Sequence, residues 1–217
     1  VAPQAQVPTR FAEINHDQYR DIRWKRDQMI WRDDKRGFRL EPLPSGFVYR
    51  FPVELHLVEN GQALPIPFDR DRFDWGAAVM PPEDGVVLPF SGVKLRRPPR
   101  DGGDRWPEFA VFQGATYFKS IARNQVYGLT ARGLAINTAE ADGEEIPFFT
   151  RFYIEKPEEN AQTVRLYALL DSKSVTGAYR FTLRAGDETS IDVELSLYPR
   201  EDLGHVGLGA LNSMFLF

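Results

Sequence analysis

Cysteine is absent from this 217-residue chain. Its absence removes thiol nucleophiles, zinc–thiolate sites and disulfides at once. Histidine is scarce: only His16, His56 and His205 occur, and no G-x-S-x-G elbow accompanies them, so a nucleophilic triad has little to draw on. His56 falls on the polar side of a strand pattern, where a solvated histidine is the ordinary reading. No apolar run approaches the roughly 18 residues of a membrane span. Positive charge is not in excess either, because 27 Lys and Arg face 31 Asp and Glu for a net charge of −4. Nucleic acid is therefore not an expected partner.

Two apparent motifs fail on spacing. Asp69, Asp71 and Asp74 resemble part of a calcium loop, but Arg70 and Arg72 interrupt them and no glycine or bidentate glutamate follows. No metal site and no cofactor are expected. The GHVGLGA run from Gly204 lacks dinucleotide-fingerprint spacing and reads as a flexible loop. Lys94, Arg96, Arg97 and Arg100 form the densest basic cluster. With Asp101 and Asp104 beside them in a Pro/Gly-rich stretch, they read as a solvated loop.

What is present is alternation. Val53, Leu55 and Leu57 alternate with Glu54 and His56, and a turn at Asn60-Gly61 leads to an apolar return through Leu64 and Ile66. Val164, Leu166, Ala168 and Leu170 repeat the pattern, as do Tyr179, Phe181 and Leu183. Ile191, Val193, Leu195 and Leu197 make the cleanest strand in the chain. Turn residues separate these runs at Pro157-Glu158-Glu159-Asn160 and Ala185-Gly186-Asp187. Helical turns are expected only within residues 4–14, at 19–21 behind Asp17 as cap, and within 117–123. Many half-buried strands at short intervals predict an all-β protein, a large antiparallel β-sandwich filling residues 1–217 as one unit.

The ends carry their own expectations. Val1 opens VAPQAQVP without an initiator methionine or a signal peptide, which reads as a trimmed chain. Ser213-Met214-Phe215-Leu216-Phe217 reads as a buried strand cut short, so truncation at both ends is expected, with aggregation of the segment expressed alone.

Residues 112–138 concentrate chemistry. Gln113, Tyr117, Lys119, Arg123, Asn124, Gln125, Tyr127 and Arg132 lie there among glycines and small residues. Flat aromatics and forked hydrogen-bonding groups suit a hydroxyl-rich ligand, whose C–H faces stack and whose hydroxyls need planar partners. Glu144 and Glu145 sit at a turn before the aromatic run Phe148-Phe149-Thr150-Arg151-Phe152-Tyr153, and Asp171 closes LYALLD. Glycosidases need two such carboxyl groups astride the scissile bond.

In the same segments the chain resembles the periplasmic glucan biosynthesis proteins G and D. The matching blocks are Tyr19-Arg20-Asp21-Ile22-Arg23, Phe112-Gln113-Gly114-Ala115-Thr116-Tyr117-Phe118 and Tyr127-Gly128-Leu129-Thr130-Ala131-Arg132-Gly133-Leu134-Ala135. Gly143-Glu144-Glu145-Ile146-Pro147, Leu169-Leu170-Asp171-Ser172, Thr176-Gly177-Ala178-Tyr179-Arg180-Phe181 and Ser213-Met214-Phe215 follow in family order. Tyr153 stands where the family often has Trp, Gln113 where Leu is usual and Lys173 where Pro is usual.

The resemblance implies a galactose-mutarotase-like β-sandwich with a glucan-binding cleft, followed in the whole protein by an immunoglobulin-like domain that this chain lacks. It implies export to the periplasm of a Gram-negative bacterium and action on a β-1,2-linked glucan of osmoregulated type. Some members resemble inverting β-1,2-glucanases, a kind of glycoside hydrolase, whose acid lies in an R-P-E-V-H-D-type motif beyond the block matching Ser213-Met214-Phe215. The catalytic residues are thus not assigned within this chain. The expected substrate-binding set is Tyr117, Tyr127 and Tyr179 as stacking faces, Arg132 and Arg180 as forked donors, and Glu145 and Asp171 as acceptors. The alternative is a non-catalytic glucan-binding or scaffolding module that partners a membrane glucan synthase.

Overall fold

The structure, a computed structural model, describes residues 7–77 and 79–212. Among them two short helices, α1 (Thr9–Ala12) and α2 (His16–Asp21), precede the sheets. The strands that follow are β1 (Arg23–Trp24), β2 (Arg39–Pro44), β3 (Glu54–Glu59), β4 (Gln62–Pro65), β5 (Phe73–Asp74), β6 (Phe90–Arg96), β7 (Glu108–Gln113) and β8 (Tyr117–Ser120). Then come β9 (Thr130–Arg132), β10 (Leu134–Ile136), β11 (Phe148–Glu155), β12 (Thr163–Asp171), β13 (Val175–Ala185), β14 (Thr189–Pro199), β15 (Val206–Leu208) and β16 (Leu211–Asn212). No helix among the described residues is long and apolar enough to cross a membrane.

Two six-stranded sheets dominate. Sheet I runs β14-β13-β12-β11-β3-β4 and sheet II runs β16-β9-β8-β7-β6-β2. Their inner faces meet across aromatic rings: Phe112 of sheet II lies 4.9 Å from Phe181 and 5.8 Å from Phe152 of sheet I, both edge-on. Phe118 adds a further edge contact to Phe181 at 5.2 Å. Edge-to-face geometry sets each ring's positive rim against its neighbour's negative face, which favours such pairs over flat sandwiches. One contiguous core runs through both sheets and takes in Phe11, Trp24 and Phe73 from the N-terminal part. The all-β sandwich is thus the architecture found.

The alternating runs form strands as expected, and Val164, Leu166, Ala168, Leu170, Tyr179, Phe181 and Leu183 are all buried. The Asn60-Gly61 turn has both residues at positive φ, 52° and 77°, the backbone of a hairpin turn whose twist matches the flanking strands. Leu64 on the return strand is exposed, however, because β4 is a sheet edge.

Several local expectations need correction. Among the described residues the one non-antiparallel junction is β3–β11, where Arg151 to Glu155 run parallel to Glu54 to Val58. Helix α2 is capped by Asn15, whose side chain accepts from the Gln18 amide while Gln18 reaches back, and Asp17 lies inside it. Residues 117–120 are strand, not helix, since they pair with both β7 and β9. Val206 to Leu208 pair with β10 and so are not a loop. The cleanest alternating run, β14, holds no fully buried residue, and Val193 is 43 % exposed, because the strand forms an edge of sheet I. Residues 213–217 lie outside the described residues.

Candidate functional site

Strand register decides which side chains share a face. Glu41, Lys94, Val111 and Lys119 are cross-strand partners in a row over β2, β6, β7 and β8, and Tyr117 pairs with Arg132. Phe112 pairs with Phe118 on the opposite, core-facing side. The row containing Glu41 and the Tyr117–Arg132 pair therefore lie on the outer face of sheet II.

Charge on that face is internally paired. Glu41, 3 % exposed, holds Arg96 and lies 3.8 Å from Lys94, which also reaches Glu108 at 3.4 Å. Tyr127 donates its hydroxyl to Glu108, and Lys119 Nζ sits 4.3 Å over the Tyr127 ring. Burial and the adjacent Glu108 carboxylate both push the Tyr127 phenol well above its ordinary range, so it stays a donor. This rib divides the face into two hollows.

The smaller hollow, about 420 Å³, is floored by Tyr117 and Lys119 of β8 and walled by Tyr49, Phe51 and Phe148. Phe51 and Phe148 lie 4.1 Å apart, and Val48, Phe51 and Ile146 are exposed. The wall is held by a tight backbone approach. Gly114 has φ of 78°, and a Cβ there would meet the Tyr49 ring at 3.3 Å. Gln113 steadies the adjoining wall by donating to the Tyr19 hydroxyl at 2.7 Å and to Ser91 at 2.9 Å. An apolar, aromatic wall with a few charged groups at its floor is the usual constitution of a small-ligand site. The larger hollow, about 1010 Å³, opens beyond the rib and is bordered by Glu41, Arg96, Glu108 and Trp106.

The expected binding residues are thus brought together only in part. Arg132 is buried, ion-pairs with Glu144 and lies 5.6 Å over the Tyr117 ring. Tyr127 shares their face of the sheet but offers one ring side to Lys119. Glu145 Oε1 accepts from the Ser172 hydroxyl and from both the amide and hydroxyl of Ser174, each at 2.9 Å. Burial raises its pKa, but these hydrogen bonds outweigh it and hold the carboxylate below its usual range. A group so held is an anion and an acceptor, the opposite of a general acid. Asp171 pairs with Arg200 at 2.7 Å and borders a separate hollow of about 740 Å³ against sheet I.

Tyr179 is 2 % exposed and packs between Phe149 and Phe181 at 5.1 and 5.6 Å, so neither ring face is open to a sugar. Arg180, next along β13, points to the outer face of sheet I and pairs with Glu194 there. Asp69 caps a short turn by accepting from the Asp71 amide and lies 3.3 Å from Arg72, which accounts for its place in the sequence without a metal. Among the described residues no three His, Asp or Glu side chains converge to hold a metal ion. His56 does not stand free: its ring stacks on Tyr153 at 4.9 Å. From sequence Phe148 stands out only as the start of an aromatic run, and the wall residues missed outright are Tyr49 and Phe51. The aromatic run Phe47-Val48-Tyr49-Arg50-Phe51 was the available signal, but it lacks any period because it is a loop.

Comparison with known proteins now bears on this geometry. The chain is 44% identical over 216 residues to glucans biosynthesis protein G of Rhodopseudomonas palustris (strain BisA53), covering all of this chain and 43% of that protein. It is 44% identical to the protein of the same name from Ralstonia nicotianae, again over 43% of its length. The one from Vibrio cholerae (strain M66-2) is 40% identical over 219 residues, 39% of its length. The chain thus spans about two fifths of the curated relatives it matches. Over residues 1–217 it matches the family described as periplasmic glucan biosynthesis protein, MdoG, and it belongs to that family.

Proposed function

We propose that this chain forms the glucan-holding part of a periplasmic protein that processes a β-1,2-linked glucan backbone. The observation that carries the reading is the hollow of about 420 Å³ in which Tyr117, Tyr49, Phe51 and Phe148 present rings. Arg132 and Glu144 stand beside it through the Tyr117 contact. Rings stack on the C–H faces of glucose units, and the charged pair exchanges hydrogen bonds with hydroxyls. Tyr127 and Glu145 position this region: one anchors the roof of the sheet, the other ties the 143–147 turn to the β12–β13 turn. Glu145 is held anionic, which does not suit a general acid, and this reading assigns the acid of a hydrolytic reaction to the longer protein.

The test is titration of linear β-1,2-gluco-oligosaccharides into this chain and into Tyr117→Ala. Loss of one stacking face should weaken binding by about 3- to 10-fold, with β-1,3-linked oligosaccharides as the linkage control. Unchanged affinity in the variant would remove the hollow from the reading. Counting new reducing ends then separates roles: the longer protein should produce them and this chain should not.

A second reading, a non-catalytic glucan-binding module assisting a membrane synthase, is favoured by the way Glu144, Glu145 and Asp171 are all engaged by Arg132, two serines and Arg200. It requires saturable glucan binding without new reducing ends even in the longer protein.

A further inference from the structure

The basic cluster is a solvated loop only from Arg100 onward: Lys94 and Arg96 belong to β6, and Arg97 is buried. Arg97 is only 3 % exposed, with its backbone amide donating to the Pro107 carbonyl and its Nη1 to the Gly186 carbonyl at 3.0 Å and Thr189 Oγ1 at 3.3 Å. Its Nε is buried without a hydrogen-bond partner, and Arg97 forms no ion pair among the described residues. Two more guanidinium groups stand close by. Arg100 and Arg123 both lean on the same carboxylate oxygen, Asp187 Oδ1, the latter at 3.5 Å. Three cations therefore share one acid at the β13–β14 turn. Burial, with Arg123 next, lowers the Arg97 pKa, in keeping with a cation short of counter-charge.

These three arginines line the hollow of about 1010 Å³ on the far side of the Tyr127 rib. Its walls carry eight Arg and Lys against six Asp and Glu, on a chain whose net charge is −4. The local sign is thus opposite to the global one. A buried guanidinium without a carboxylate is costly, and its planar fork matches the paired oxygens of phosphate and carboxylate. A neutral glucose hydroxyl would leave that charge unbalanced.

We propose that this hollow binds a small oxyanion, a phosphate or carboxylate group, on Arg97, Arg100 and Arg123. The site is separate from the aromatic hollow and does not depend on the glucan reading. It gives the protein a means of recognising an anionic group, free or carried on a larger molecule. A purely structural alternative exists, in which Arg97 only clamps the turn through Gly186 and Thr189, and the two predict different outcomes.

The experiment titrates inorganic phosphate, and separately acetate, into the 217-residue chain at low ionic strength with chloride as the matched control, reading bound anion by equilibrium dialysis and melting temperature in parallel. Saturable binding of either anion, with a rise in melting temperature beyond that in chloride, is expected from binding to the folded state. Arg97→Gln and Arg123→Gln should each weaken binding by about tenfold or more, since each removes charge-assisted hydrogen bonds. Arg180→Gln, on the outer face of the other sheet, should leave it unchanged. Absence of saturable binding to the parent chain overturns the proposal, and so does equal binding by Arg123→Gln. Should Arg97→Gln fail to fold, Arg123→Gln and the exposed position's Arg100→Gln still decide the matter. A loss of stability in Arg97→Gln with unchanged anion binding identifies the clamp alone.

Discussion

Glu145 is the residue whose environment has the clearest consequence. Three donors converge on one of its oxygens, and they hold its folded-state pKa below the ordinary carboxylate value despite partial burial. A depressed folded pKa means the unfolded chain takes up the proton first as pH falls. The contribution of Glu145 to stability is therefore fully present above the unfolded value, about 4.3, and is lost as pH falls through the lower folded value. Glu145→Gln should cost about 1–3 kcal/mol at pH 7 and less near pH 3, because the unfolded chain has by then largely taken up its proton and the carboxylate's contribution is being lost. Urea unfolding of both proteins at the two pH values measures this. An equal cost at both would mean that shape, and not charge, makes the contact. The sequence marked Glu145 as a hydroxyl acceptor, and it does accept from hydroxyls, but those of Ser172 and Ser174. The partner lies 27 residues away, and no pattern local to Gly143-Glu144-Glu145 could reveal it.

At the level of elements, sheet II depends on a close strand approach at Gly92. A Cβ placed there would meet the Phe112 carbonyl oxygen at 2.1 Å and the Gln113 backbone at 2.9 Å. These are backbone atoms fixed by the β6–β7 ladder, where Gly92 opposes Gln113, so they cannot turn aside as a flexible side chain would. Gly92→Ala should destabilise the protein by about 2 kcal/mol or more, and should loosen Gln113 and the wall of the aromatic hollow with it. Chemical denaturation gives the first figure, and reduced glucan affinity in the surviving folded fraction gives the second. Alternation was legible where one sheet face meets the core and the other meets water, as in β12 and β13. It was not legible in β2 or β6, whose residues are buried on both faces, because loops and the charged rib cover the outer side of sheet II. The parallel β3–β11 pairing was hidden for another reason: the two strands are separated by nearly a hundred residues, and pairing partners at that distance leave no periodic mark. Arg97 reads from sequence as solvated because its flanking prolines and aspartates are those of a surface loop, whereas the β13–β14 turn folds over it.

On the scale of the molecule, the open edge of sheet I is the feature most exposed to error in solution. Strand β14 is 11 residues long and pairs only with β13, leaving its other edge free among the described residues. Its inward row is poorly covered: Ile191, Leu195 and Leu197 are half-buried and Val193 is 43 % exposed. Natural sheets blunt such edges with charge, proline or cover. Here Asp192 and Glu194 lie on the opposite face and are already paired with Arg184 and Arg180, so they oppose edge-to-edge contact weakly. Proline appears only at the end of the strand, at Pro199. A long edge with an apolar row offers both unpaired backbone groups and buried area to a second copy. Concentration-dependent self-association of this chain is therefore expected in sedimentation velocity. Here β14 supplies the exposed edge, while residues 213–217 lie outside the described residues. Val193→Lys tests it directly. The position opposes Phe181 at the rim of the core and is open enough for a lysine to lay its stem on the apolar row and keep its ammonium in water. The variant should keep the parent's melting behaviour while shifting the distribution toward monomer. Association undiminished in Val193→Lys would exclude the β14 edge as the contact and leave the exposed leucines at 208 and 211 as the surface to substitute next.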